Sequence, residues 1–283
     1  MSLTSALRPA LRYAYTNARL LVDKDAPVVI WFYSKNWGDA LNPPLIQKIS
    51  GKIPLRASKY IVKKVPVFSV IGSVLELPNI CNCGHGNLIV WGTGFISSRG
   101  RLGVQPKEIC AVRGPLTREL ILKQGHRCPE IYGDPALLYP QYYKPNVKKK
   151  YKLGIIPHYL DKDHIFLNNF YNDNDILIID IKGGIHKVVD QICSCQKIAS
   201  SSLHGIIAAD AYGVPSTWIK LSDNVTGGGF KFFDYFESVG RTDEEALVIR
   251  KDSSVDDILD TFYSYKLDLD LNELWEACPL RQN

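Results

Sequence analysis

The sequence predicts an α/β protein made of two small doubly wound domains that face each other across a cleft. Three observations carry this expectation. Short, nearly unbroken apolar runs recur along the chain, each ends in a polar or glycine-containing turn, and helical stretches follow several of those turns. Apolar runs without strict alternation belong to strands buried on both faces, as in parallel sheets. The pattern pauses once, at the polar stretch 141–150, and then restarts, which sets the expected domains at residues 1–145 and 146–283.

Taken in order, residues 1–24 carry Leu7, Leu11, Tyr15 and Leu20 near helical spacing. Val28–Tyr33 is an expected strand that enters the turn Ser34-Lys35-Asn36-Trp37-Gly38-Asp39. Pro43 and Pro44 then suit the first turn of a helix running to about Ser50. Val67–Ile71 ends in Gly72-Ser73, Leu88–Trp91 in Gly92-Thr93-Gly94, and Glu108–Val112 in Arg113-Gly114-Pro115. A helix over 116–124 follows and stops at Gly125, and residues 131–136 close the first half. In the second half, 153–158 and 176–180 are expected strands, 186–195 a helix, and 197–200 a short strand. The turn Ser201–Gly205 leads to a helix over 206–212 and a strand over 215–219, and 254–265 and 272–280 have helical character. In such sheets ligands bind beyond the carboxyl ends of the strands, where these polar turns fall.

Composition excludes several classes. With 46% hydrophobic and 22% charged residues, the 283-residue chain has the make-up of a folded globular protein, not a disordered one. The net charge of +5 is spread out apart from Lys148-Lys149-Lys150, so no nucleic-acid partner is expected. The small excess suits anionic substrates or peripheral work beside an anionic membrane surface. Arg8, Arg12 and Arg19 interrupt the N-terminal apolar runs, so no secretory leader is expected, and no run approaches the roughly 20 apolar residues of a membrane span. Seven cysteines, an odd count, argue for a reducing cytoplasm. Cys81-Asn-Cys83-Gly-His85 and Cys193-Ser-Cys195 are spaced more tightly than paired zinc ligands usually are, and no metal is expected.

The turns hold the candidate chemistry. At Ser201-Ser202-Leu203-His204-Gly205 a strand ends and a helix begins, a place that favours phosphate or carboxylate because helix-end amides and the dipole point there. His204 could donate to an anion or shuttle a proton; the alternative is a serine cap beside a packed histidine. Arg113, at a strand's carboxyl end, could grip an anion bidentately or make a salt bridge. Asn36, Gly38 and Asp39 could bind sugar hydroxyls, with Asp39 as base, or form an Asx-type cap. Asp134 sits in a Gly-Asp-Pro turn, and His158 ends a strand. Gly227-Gly228-Gly229-Phe230-Lys231 reads as a flexible loop able to close over a phosphate, with Lys231 as point charge. No Walker, GxGxxG, GxSxG or HExxH pattern appears in a fitting context.

These motifs occur in a fixed order: Asn36-Trp37-Gly38-Asp39-Ala40, Trp91-Gly92-Thr93-Gly94, Val112-Arg113-Gly114-Pro115-Leu116-Thr117, Gly133-Asp134-Pro135-Ala136 and Ser202-Leu203-His204-Gly205-Ile206. Over roughly residues 27–240 the chain resembles the polysaccharide pyruvyl transferase family, in particular its exopolysaccharide and capsule members. The resemblance implies two Rossmann-like domains in a GT-B arrangement, the first on the acceptor side and the second on the phosphoenolpyruvate side. It implies transfer of pyruvate from phosphoenolpyruvate to two hydroxyls of a saccharide acceptor, free or lipid-linked, with no further cofactor. By resemblance His204 and Arg113 contact the donor anion and His204 donates a proton; Ser201, Ser202, Lys231, Asn36, Gly38, Asp134 and His158 complete the expected binding set, with Asp39 as base. Some members carry arginine two positions before the motif histidine, where this chain has Ser202; Lys231, Arg99 and Arg101 are the cations that could replace it. The alternatives are a GT-B glycosyltransferase using a nucleotide sugar, with Asp210 for the ribose, and a non-catalytic sugar-binding protein.

Overall fold

A computed structural model describes residues 18–32, 34–57, 65–76 and 86–281. It contains two five-stranded sheets, every strand pair parallel. The first sheet holds β1 (Val28–Ile30), β2 (Leu55–Arg56), β3 (Val67–Ser69), β4 (Leu88–Trp91) and β5 (Pro106–Ala111). The second holds β6 (Tyr151–Ile156), β7 (Ile176–Ile178), β8 (Cys195–Ser200), β9 (Ser216–Lys220) and β10 (Leu247–Val248). The spatial orders are β2-β1-β3-β4-β5 and β10-β9-β8-β6-β7, so both sheets share one plan, 2-1-3-4-5. In that plan the winding reverses between the first and third strands, and ligands bind beyond their carboxyl ends. The reversal in the second sheet lies between β6 and β8.

The helices are α1 (Trp37–Ser50), α2 (Pro115–Lys123), α3 (Ile185–Cys193), α4 (Leu203–Ala211), α5 (Phe230–Ser238), α6 (Val255–Leu259) and α7 (Leu271–Glu276). The chain divides into two compact units. One comprises the described parts of Met1–Phe32, Asn42–Pro135 and Asn272–Asn283; the other comprises those of Tyr33–Leu41 together with Ala136–Leu271. Residues 34–41 therefore belong with the second sheet although they precede it by more than a hundred positions.

Several elements differ from the sequence expectation. α1 begins at Trp37, because the Ala40 amide already bonds the Asn36 carbonyl at 2.8 Å, and Pro43 and Pro44 lie inside the helix rather than opening it. The prolines cannot donate to the carbonyls four residues back, which the helix tolerates here. α4 begins at Leu203, and Lys231 stands on α5 rather than in a loop. Cys193 ends α3 and Cys195 opens β8, so the second cysteine pair straddles a junction. The C-terminal helices are shorter than expected, and β2 and β10, two residues each, have no periodic signal. Of the N-terminal helix only 18–22 falls among the described residues and is helical; Cys81, Cys83 and His85 lie outside them. No described helix is long and apolar enough to cross a membrane.

One buried ion pair ties the second unit together. The Arg241 Nη1 donates to Asp210 at 3.1 Å, while Ser216, Tyr235 and Tyr265 donate to the same carboxylate at 2.9, 2.9 and 2.7 Å. Arg241 also reaches the Ser216 carbonyl and Glu244, so α4, β9, α5 and the chain beyond share one network. A charge so deeply buried is tolerable only when every partner is present. Arg241→Met should destabilise the protein by about 3–5 kcal/mol in urea unfolding, whereas a loss under about 1 kcal/mol would mean that the pair is dispensable.

Candidate active site

The site begins at the β6–β8 switch point. Ser200, the last residue of β8, places its Oγ 3.0 Å from the Ile156 carbonyl at the end of β6 and accepts the Ser202 amide at 3.0 Å. The Ser201 amide bonds the same Ile156 carbonyl at 3.1 Å, and its Oγ accepts the His158 amide at 2.8 Å. The two strand ends are thus stitched together by consecutive serines. A Cβ on Gly205 would overlap Ser200 Oγ, so the bare glycine lets α4 start hard against β8. Ser202 occupies the N-cap position but its hydroxyl makes no capping hydrogen bond.

His204 stands in the first turn of α4, and its Nδ1 lies 2.7 Å from Asn36 Oδ1. A carboxamide oxygen only accepts, which assigns the proton to Nδ1 and leaves Nε2 as the nitrogen able to gain or lose one. Gly38 lies against the ring, its hypothetical Cβ 2.6 Å from Nε2. The segment is fixed by Trp37, whose amide bonds the Ile181 carbonyl at 3.0 Å and whose indole bonds the Ile185 carbonyl at 3.2 Å. Tyr139 meets the indole edge-on at 6.4 Å and shares a 3.1 Å hydrogen bond with His186. Tyr139 and His186 have no motif around them, so no sequence signal marked them as supports.

Asp39 follows in the same turn. Ser34 Oγ donates to its Oδ2 at 2.7 Å and accepts the Asn36 amide at 3.0 Å. Burial pushes the Asp39 carboxyl up to about 6, against the pull of Ser34 and the Lys231 charge. His158 moves the other way, down to about 4, through burial and then the Lys231 charge. Its Nδ1 accepts the Leu160 amide at 3.3 Å, so neutral His158 presents Nε2–H. Asp161 opposes that shift and Lys182 adds to it. Lys182, whose ammonium lies 3.9 Å from the Tyr159 ring centroid, is a cation that the sequence reading missed. Only its place two residues beyond Asp180, past the end of β7, could have flagged it.

Asn36, Gly38, Asp39, His158, Ser201, Ser202, His204 and Lys231 all belong to the second unit; Arg113 and Asp134 belong to the first. Arg113 is fully buried, donating from Nη1 to Ser73 Oγ and from Nη2 to the Phe95 carbonyl, each at 2.6 Å. A Cβ on Gly94 would come within 2.6 Å of its guanidinium carbon. Gly92, at φ 84, is packed against Pro135, and Thr93 Oγ1 donates to the Gly72 carbonyl at 2.6 Å. The Trp-Gly-Thr-Gly, Arg-Gly-Pro and Gly-Asp-Pro motifs thus interlock around Arg113. Asp134 is buried beside them.

The sequence profile described as polysaccharide pyruvyl transferase matches residues 75–223, just over half of the 283 residues. The chain belongs to the polysaccharide pyruvyl transferase family. The match takes in Arg113, Asp134, His158, Ser201, Ser202 and His204, while Asn36–Asp39 and Lys231 fall outside it. The "Uncharacterized protein L143" of Acanthamoeba polyphaga mimivirus is 30% identical over 211 residues, 72% of this chain and 71% of its own. The "Succinoglycan biosynthesis protein ExoV" of Rhizobium meliloti (strain 1021) is 28% identical over 176 residues, 61% of this chain and 53% of its own.

Among the described residues no group of three or more His, Cys, Asp or Glu could hold a metal. Burial raises the Cys193 thiol and pushes Cys195 up to about 11, and Cys195 Sγ donates to the Gln191 carbonyl at 3.2 Å, the behaviour of protonated thiols. The raised Asp39 yields a stability test. Between about pH 4 and 6 the folded protein holds a proton that the unfolded chain has lost, so stability falls as pH rises through that window. Asp39→Asn should therefore stabilise the protein by about 2–3 kcal/mol near pH 8 and change it little near pH 4, as read from urea midpoints. An unchanged midpoint at the higher pH would remove the buried-charge account of Asp39.

Proposed function

We propose that the protein transfers pyruvate from phosphoenolpyruvate to two hydroxyls of a sugar in a surface polysaccharide or its precursor, forming a cyclic ketal and releasing phosphate. The observation that carries this reading is the His204 Nδ1–Asn36 Oδ1 hydrogen bond of 2.7 Å, which fixes the Nδ1 proton and orients the ring, while Asp39, raised to about 6, stands three positions after Asn36. Family membership supports it, as does the similarity to a Rhizobium protein named for succinoglycan biosynthesis.

The chemistry assigns each group a task. Protonated His204 delivers its Nε2 proton to the methylene carbon of phosphoenolpyruvate, and the neighbouring carbon becomes electrophilic. A sugar hydroxyl adds there and gives its proton to Asp39, phosphate leaves, and the second hydroxyl closes the ketal. Asp39 passes its proton to the departing phosphate, and the proton of the second hydroxyl restores His204. Lys231 and Lys182 supply the positive charge that the Ser202 position lacks, neutral His158 offers Nε2–H, and the first turn of α4 faces the anion with its dipole. Arg113, committed to Ser73 and the Phe95 carbonyl, is assigned to holding the loops of the first unit. The shared strand order of the two units suits the GT-B arrangement that the resemblance implies. The reaction belongs to the cytoplasm, where phosphoenolpyruvate is available, and at the inner membrane face when the acceptor is lipid-linked.

The nucleotide-sugar alternative needs an acidic residue for ribose, and Asp210 is buried and saturated by Arg241, Ser216, Tyr235 and Tyr265. Incubation with phosphoenolpyruvate and oligosaccharide acceptors should release phosphate and add a ketal methyl signal in the product NMR spectrum. His204→Ala should lower kcat by about 10²–10⁴-fold while the protein stays folded. Binding of a nucleotide sugar with no phosphate release from any acceptor would sink the reading. The rate should rise with pH as Asp39 ionises around 6. Lys231→Met, which removes a charge that favours the carboxylate, should shift that limb to higher pH; a shift to lower pH would contradict the assignment of Asp39.

A further inference from the structure

The second unit contains a cavity of about 500 Å³ beyond the carboxyl end of β9, within the range of small-ligand sites. Its aromatic wall is Trp218, stacked on Phe232 at 4.4 Å and 11°, with Phe233 edge-on at 5.4 Å and 83°. Phe233 is 38% exposed, while Trp218 and Phe232 beside it are buried. The turn Gly227-Gly228-Gly229 also lines it, with φ values of 104, 58 and 89° in the region that favours glycine. A side chain at Gly229 would come within 3.0 Å of Trp218 and 3.1 Å of Phe233, so the glycine keeps the edge of the aromatic wall uncovered.

The charges of the lining select against an anion. Its one lysine, Lys220, is paired with Asp223 at 2.6 Å, and Glu245 adds a second carboxylate. Phosphoenolpyruvate would meet net negative charge here. Hydroxyls, by contrast, are well served: Ser222 and Thr226 line the space together with the carboxylates of Asp223 and Glu245. An aromatic wall with hydroxyl and carboxylate partners suits a neutral sugar ring, apolar on its C–H face and hydrogen-bonding at its rim. Ser201, which receives the His158 amide at the candidate site, also lines this cavity, so the two spaces meet at one residue.

We propose that this cavity is a saccharide subsite that holds a neutral pyranose ring of the acceptor against Trp218 and Phe233, next to the donor anion. The subsite rests on the pyruvyl transfer reading for its biological role but not for its chemistry. On this assignment the second unit holds part of the acceptor as well as the donor.

Saturation-transfer NMR on the full chain with methyl β-glucoside and methyl β-galactoside tests it. Transfer to ring protons is expected, retained when phosphoenolpyruvate is added. It should be lost in two separately folded variants, Phe233→Ala, which removes the aromatic edge, and Thr226→Trp, which fills the space from an exposed position. If the acceptor reaction proceeds, Phe233→Ala should raise acceptor KM about tenfold and leave the affinity for phosphoenolpyruvate unchanged. No transfer from either glycoside, transfer indifferent to both substitutions, or displacement by phosphoenolpyruvate or a nucleoside diphosphate would overturn the subsite. Phosphate release with acceptor KM unchanged in both variants would overturn it while leaving pyruvyl transfer standing. Sugar binding at the cavity without phosphate release would do the reverse.

Discussion

The geometry of the second unit depends on the close approach of α4 to the end of β8, made possible by a glycine where any side chain would strike Ser200. With Gly205 against that serine, the helix starts immediately after the strand, and His204 is carried to the sheet's reversal point. The same serine joins β8 to β6, and Ser201 then fixes the backbone of His158. Packing at one glycine therefore sets the positions of both histidines. A side chain there would move the helix start, and the site would lose its alignment before the sheet lost its strands.

Asn36 is the second constraint. It reaches His204 only because Trp37 is locked to the Ile181 and Ile185 carbonyls and edged by Tyr139. The opposed shifts of Asp39 and His158 share one leading cause, burial, and one cation, Lys231. Burial favours the neutral form of each, a proton kept on the acid and refused by the base. The fold accepts a carboxylate that it would rather protonate, which is the common price of a group held ready to take a proton near neutrality.

Much of this arrangement was legible in the sequence. Apolar runs such as Leu88–Trp91 and Ile198–Ser200 announce strands buried on both faces, and the polar turns after them mark the ligand-facing end of a parallel sheet. The His204 turn, His158 and Asp39 are visible on that basis. Partners distant in sequence are not. Nothing local pairs Asn36 with His204 across 168 positions, and nothing in Tyr139 or His186 reports that they brace Trp37. Arg113 shows the same limit: its strand-end position is legible, but the backbone of Gly94 against its guanidinium and its bonds to Ser73 and Phe95 come from stretches far away in sequence. Three glycines before Lys231 suggest a loop there, although those glycines end where α5 starts. The two-residue strands β2 and β10 are too short for periodicity to register.

The placement of residues 34–41 with the second sheet also bears on inheritance. The halves of this chain are not exchangeable modules in the way that their matching strand orders suggest. A recombination event at residue 135 or 136 would deliver a complete second sheet with its His204 and without the amide that orients it. Hybrids between relatives would need to bring the Asn36 segment from the same parent as the α4 turn, so these two stretches should be inherited together even though most of the first unit lies between them.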